Sequence, residues 1–168
     1  MYFKNYLEEN KLATVEILDL EEYNFPLFTE RLRLQVNPSS DTLDFANKIK
    51  SADGILIVTP EYNGGYPASL KNVIDLLYDE WYRKPVSIAT VSSGAFGGSQ
   101  VIMQLQFILW KMRAWTVPST FPVAKVEEVF NEKGNASSKE STDKRAAGFI
   151  NELLWCIEAK QKMIELKA

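Results

Sequence analysis

A chain of 168 residues, 46% hydrophobic and 24% charged, is ordinary for a globular protein and long enough to bury a substantial core as one domain over residues 1–168. A net charge of −3 with no run of Lys or Arg excludes the concentrated basic surface that nucleic acid or an anionic membrane requires, and no stretch has the apolar length of a bilayer span. With no His and a single Cys, the sequence also excludes Ser-His-Asp and Cys-His catalysis, an intrachain disulfide and a zinc site of the usual ligands.

Met1–Asn10 carries Tyr2, Phe3, Tyr6 and Leu7 on one stripe and reads as the end of a helix. No charged-then-apolar signal segment follows Met1, so a cytoplasmic protein is expected. Ala13–Asp19 alternates, with Ala13, Val15 and Ile17 inward, and predicts an outer strand wet on one face. Leu20–Ser40 is a long connection. Asp41–Ser51 predicts a helix capped by Ser40 or Asp41, packing through Leu43, Phe45, Ala46 and Ile49.

Gly54–Thr59 is continuously apolar, as a strand covered on both faces should be. A helix over Pro67–Trp81 follows, with Pro67 in its first turn and a stripe of Leu70, Val73, Ile74, Leu77 and Trp81. Pro85–Val91 is the next buried strand, Ser92–Ser99 a glycine-rich loop, and Ser99–Arg113 a helix with Val101, Ile102, Leu105, Ile108, Leu109 and Met112 inward. Trp115–Pro118 predicts a short last strand. Phe121–Ser141 reads as an exposed loop with room for a brief strand at Val123–Val126. Ser141–Lys167 closes the chain as a helix, facing inward through Phe149, Ile150, Leu153, Leu154 and Ile157. Cys156 lies in that apolar stretch as a small buried hydrophobe.

Strand–helix alternation of this kind implies an α/β fold: a parallel sheet with helices on both faces, whose ligands sit where strand gives way to loop and loop to helix. The loop Thr59–Tyr66 has that place. Its residues Pro60, Glu61, Tyr62, Asn63 and Gly64 continue through Pro67, Leu70, Lys71, Asn72, Ile74 and Asp75. This run resembles the hallmark of the NAD(P)H-dependent FMN reductases. The resemblance implies a flavodoxin-like three-layer sandwich with strand order 2-1-3-4-5, FMN as cofactor and NAD(P)H as co-substrate. The acceptor it implies is a small molecule: a quinone, free flavin, azo compound or oxidised metal ion. It also implies a homodimer or homotetramer built through the helices after the third and fourth strands, with the flavin beside the partner.

Laid on that order, Ala13–Asp19 corresponds to the second strand, and Gly54–Thr59, Pro85–Val91 and Trp115–Pro118 to the third, fourth and fifth. The first strand and the Ser/Thr-rich, Arg-bearing phosphate loop after it have no counterpart in this sequence. Residues upstream of Met1 are expected to supply them, the alternative being a rearranged fold that borrows a strand.

Two loops carry the cofactor-binding candidates. In the first, Pro60 fixes its own φ and holds Thr59 extended, while Gly64 and Gly65 admit conformations closed to other residues. The resemblance implies that main-chain groups of Glu61, Tyr62 and Asn63 touch the flavin. In the second, Ser92, Ser93, Gly94, Ala95, Gly97 and Gly98 form an arc of donors opening onto a helix N-terminus, which favours partial negative charge. The family places such a loop at the pyrimidine end of the ring, where a donor tunes the flavin potential. No general acid or base is called for, and Glu61 and Tyr62 are positioning residues.

Tyr78, Tyr82, Phe107 and Trp110 lie off the core stripes; with Met103, Phe107 and Trp110 make a second apolar face suited to a subunit interface. Lys71 and Asp75 pair either within their helix or across that interface. Two other functions compete with the oxidoreductase: a flavodoxin-like interaction protein that binds no flavin, and an electron carrier, which the near-neutral charge disfavours.

Overall fold

Parallel strands covered on both faces favour near-continuous apolar runs, and β-forming stretches at residues 55–60, 85–91 and 115–123, the last of them more polar, build the sheet. A computed structural model describes residues 1–166. In chain order its elements are α1 (Tyr2–Glu9), α2 (Leu20–Tyr23), α3 (Ser40–Ser51), β1 (Ile55–Pro60), α4 (Ala68–Leu76), β2 (Pro85–Val91), α5 (Ser99–Lys111), β3 (Trp115–Val123), α6 (Val126–Val129) and α7 (Lys139–Glu165). The strands are parallel in the order β1-β2-β3, with Ile57 opposite Ile88 and Ile88 opposite Thr120.

Helices cover both faces, so the layers are those of a three-layer α/β sandwich. On one side Ile57, Val86 and Ile88 pack with Phe45 and Ile49 of α3, Val73 and Ile74 of α4, and Val101, Leu105 and Leu109 of α5. On the other, Ala89, Phe121 and Val123 meet Tyr6 and Leu7 of α1 and Ala146, Phe149 and Ile150 of α7. The observed strands are the 3-4-5 part of the expected order.

Ala13–Asp19 is not a strand. Of Ala13, Val15 and Ile17, expected inward, only Val15 packs, against the α7-side cluster, while Ala13 and Ile17 are exposed and Leu18 packs on the other side. Among the described residues no backbone bond joins the stretch to β1. A strand needs a ladder neighbour, and this stretch reaches none. The helix expected from Asp41 begins at Ser40, and its cap is Ser39, whose hydroxyl accepts from the Thr42 amide at 3.2 Å. The helix expected over Pro67–Trp81 is interrupted: α4 stops at Leu76, Leu77 turns extended, and Asp79–Trp81 forms a 3₁₀ turn. That break lets buried Trp81 fold back, its indole donating to the Ile74 carbonyl at 3.3 Å.

The last strand runs past Pro118 to Val123. Pro cannot donate to a ladder, and the strand accommodates it where the register with β2 slips between Val86–Thr116 and Ile88–Thr120. Phe121 is therefore core rather than loop. Of the brief strand expected at Val123–Val126, Val123 is the last residue of β3 and Val126 opens the single turn α6. The closing helix spans Lys139–Glu165; Lys167, the expected end, lies outside the described residues.

At the opposite end of the sheet from the strand C-termini, buried Lys84 fastens α3: its ammonium donates to the carbonyl of Lys50 at 2.9 Å and to that of Ala52. A cation there also meets the negative end of the helix dipole.

Candidate functional site

Both candidate loops leave the C-terminal ends of neighbouring strands, β1 and β2, and the ladder itself sets them side by side. Past Pro60 the Glu61 amide donates to the Val91 carbonyl at 3.2 Å, extending the pairing by one residue. The chain then reverses in two residues. Tyr62 donates to the Gly65 carbonyl at 2.8 Å and Gly65 to the Tyr62 carbonyl at 3.0 Å, with Asn63 at φ 51° and Gly64 at φ 80° between them. Two successive positive φ values are the mark of a type I′ turn, for which Asn-Gly is the preferred pair. The conformational freedom expected of Gly65 is used by Asn63 instead. Pro67 stands just outside α4 as its N-cap, its carbonyl accepting from Leu70 and Lys71.

The second loop is braced from three directions. Ser92 donates to the Val123 carbonyl at 3.0 Å; Lys125 and Val126 donate back to the carbonyls of Gly94 and Ser92 at 3.1 and 3.0 Å. From beneath, the Thr90 hydroxyl donates to the Gly97 carbonyl at 2.6 Å. A side chain at Gly98, whose φ is 74°, would place its Cβ 2.9 Å from that of Thr90 and 3.5 Å from that of Glu61. The loops therefore touch through Glu61 and Gly98.

In the second loop the carbonyls of Ser92, Gly94, Phe96, Gly97 and Gly98 accept hydrogen bonds, while a run of amides does not donate. Among the described residues no hydrogen bond uses the backbone N–H of Ser93, Gly94, Ala95, Phe96, Gly97 or Gly98, and in the first loop those of Asn63, Gly64 and Tyr66 are equally free. Such a run of unpaired N–H groups, ending at the first turn of α5, is suited to carbonyl or anionic oxygens. Beside it the Oε2 atom of Glu61 is buried without a partner. An orphaned buried acceptor costs free energy unless a donor reaches it. Tyr62 and Phe96 stand exposed at the two tips. Burial, reinforced by the Asp75 charge, pushes the Tyr66 phenol above its ordinary range, so it stays neutral.

All eleven candidate residues thus fall on two adjoining loops. Two supports went unrecognised in the sequence: Gln104, whose side-chain amide donates to the Gly64 carbonyl at 2.6 Å, and Gln100, whose Oε1 lies 2.8 Å from where a Cβ on Gly64 would be. Their signal was two glutamines four apart on a helix otherwise rich in apolar residues. Lys71 and Asp75 pair within α4, worth a few tenths of a kcal/mol. Cys156 is buried, and burial, with the Glu152 charge, raises its thiol. Among the described residues no cluster of His, Cys, Asp and Glu could hold a metal. No described helix is long and apolar enough to cross a membrane.

A family model described as NADPH-dependent FMN reductase matches residues 1–128. An NAD(P)H-dependent FMN reductase of Schizosaccharomyces pombe is 45% identical over 97 residues, covering 55% of this chain and 48% of that protein. Another from Saccharomyces cerevisiae is 39% identical over 103 residues, 56% of this chain and 53% of that one. A quinone reductase of Pseudomonas putida is 30% identical over 135 residues, covering 76% and 69%. The matched region is about half the length of the first two curated relatives. The solved structure of FerB, an NAD(P)H:acceptor flavoenzyme from Paracoccus denitrificans, superposes with a TM-score of 0.72 at 22% identity, over 94% of this chain and 88% of that one. The superposition supports the flavodoxin-like α/β architecture read from the strands, and the model match extends from α1 through both loops into α6. The chain belongs to the NADPH-dependent FMN reductase family.

Proposed function

We propose that this chain is an FMN-dependent NAD(P)H oxidoreductase that reduces a small-molecule acceptor: a quinone, free flavin, azo compound or oxidised metal ion. The observation that carries the reading is the run of six free amides from Ser93 to Gly98 set against the orphaned Glu61 carboxylate oxygen. The imide edge of an isoalloxazine offers carbonyl acceptors on either side of an N–H donor. Free amides beside a partnerless acceptor make the complementary set, so the residues present fit the group.

Bound FMN supplies the two-electron redox chemistry between nicotinamide and acceptor. The chain supplies position and field. Asn63 and Gly64 present their amides from a turn held closed by two backbone bonds, so little entropy is lost when they engage a ligand. Amides of Ser93, Gly94, Ala95, Gly97 and Gly98 hold ring oxygens at the positive end of α5, where developing negative charge is favoured. Pro60, Glu61, Tyr62 and Ser92 frame the two loops. No side chain in either loop is needed to take or give a proton.

The reading includes a homodimer or homotetramer in the cytoplasm. On α5, Met103, Phe107 and Trp110 share one stripe and are 69%, 63% and 65% exposed, an apolar surface of the kind that subunits cover.

The test is a titration of the purified protein with FMN, followed by flavin fluorescence, and then NADPH oxidation with a quinone acceptor. Saturable quenching and acceptor-dependent NADPH oxidation are expected. A protein that leaves FMN fluorescence unchanged at every concentration, and stays inert with excess FMN, overturns the reading in favour of a flavin-free interaction protein.

A further inference from the structure

Two glutamines on successive turns of α5 meet the first loop from the side. The Gln104 amide donates to the Gly64 carbonyl at 2.6 Å. Gln100, four residues earlier and so on the same helix face, brings its Oε1 to 2.8 Å from the position a Gly64 Cβ would take. Gly64 is at φ 80°, so both its conformation and its missing side chain are needed for this approach.

The consequence lies in where α5 begins. Its first residue, Ser99, directly follows Gly98, the last residue of the second loop. The helix is rigid, so a bond from Gln104 to Gly64 ties the first loop to the same body that carries the second. Together with the Glu61–Val91 backbone bond and the Glu61–Gly98 contact, this tie sets the free amides of Asn63 and Gly64 against those of Ser93–Gly98.

We infer that Gln104 is a positioning residue for the ligand held between the loops, with Gln100 as its packing companion. The inference rests on the flavin reading above. Gln104 acts through Gly64 and touches no ligand itself. It works as a donor; an isosteric acceptor in its place faces the Gly64 carbonyl with like partial charge and pushes the turn away.

Three proteins test this: wild type, Gln104→Ala and Gln104→Glu. FMN dissociation constants are measured across pH, and amide hydrogen exchange of residues 62–65 is measured in the free proteins. At pH 8 both variants are expected to bind FMN about tenfold more weakly, the scale of one lost hydrogen bond, and to exchange faster at Tyr62 and Gly65. As the pH falls toward about 4.3, the ordinary glutamate value, the glutamate variant regains a donor and recovers affinity relative to the alanine variant. A purely structural role moves the melting temperature but gives no such divergence with pH. Wild type that binds FMN while both variants bind equally well overturns this inference and leaves the flavin reading standing. Wild type that takes up no FMN overturns both.

Discussion

The Thr90 hydroxyl donates to the Gly97 carbonyl at 2.6 Å in a buried setting, so the last residues of β2 fasten the loop that the strand itself leads into. Thr90→Val keeps the shape, removes the donor and strands the carbonyl. A stability loss of about 1–3 kcal/mol is expected by denaturant titration, together with weaker FMN binding. A variant as stable as wild type would show that the loop is held by its outer braces alone.

Gly98→Ala drives a methyl group to 2.9 Å from Thr90 Cβ at a φ of 74°. The obstacle is a β-branched strand residue that cannot swing aside, and the backbone strain adds about 1–3 kcal/mol. Gly148, an exposed glycine within α7 with nothing within 4 Å of an added Cβ, is the control. Gly148→Ala is expected to stabilise by about 0.5–1 kcal/mol. Thermal melts of the pair check both signs.

Glu61→Gln replaces a buried, partnerless carboxylate oxygen by a neutral amide of the same shape. Without flavin the variant should be more stable by about 1 kcal/mol, raising the melting temperature by about 2–4 °C. A lower melting temperature would mean that the oxygen already has a partner in solution.

Burial holds the Lys84 amine down to about 8 from its ordinary 10.5, with the Lys160 charge adding to the effect and Asp53 opposing it. Between those values the unfolded chain binds a proton that the folded chain does not. Stability therefore rises as pH climbs from about 8 toward about 10.5, by at most about 1.4 kcal/mol per pH unit from this group, and the group adds no slope below that window. The neutral amine keeps two N–H groups for the Lys50 and Ala52 carbonyls. Lys84→Met should flatten this part of the profile in denaturant titrations at stepped pH.

Phe107→Lys places a charge in the middle of the exposed Met103–Trp110 stripe. Sedimentation at micromolar concentration is expected to show an oligomer for wild type and a monomer for the variant. A monomeric wild type would mean that the stripe is not a contact between copies.

Much of this was legible in the sequence because the signals were local and redundant. β2 was bounded correctly by its own apolar run, and β1 was off by one residue. The two loops followed from the strand ends, although the tight turn falls on Asn63 and Gly64 rather than on the expected Gly64 and Gly65. What failed depended on partners far along the chain. Ala13–Asp19 has a strand's alternation but no neighbour to ladder with. Pro118 argued for a strand end, and only the register slip against β2 carries β3 past it. The helix expected through Trp81 stops at Leu76 because the indole is better buried folding back. Gln104 was invisible for the same reason: its role exists only once Gly64 is beside it.

Amide hydrogen exchange across the whole chain, with and without saturating FMN, reports whether the two loops hold the flavin together. Slowed exchange at Asn63–Gly64 and Ser93–Gly98 together is the predicted result. Protection absent from these two loops, or confined to other parts of the chain, would contradict it.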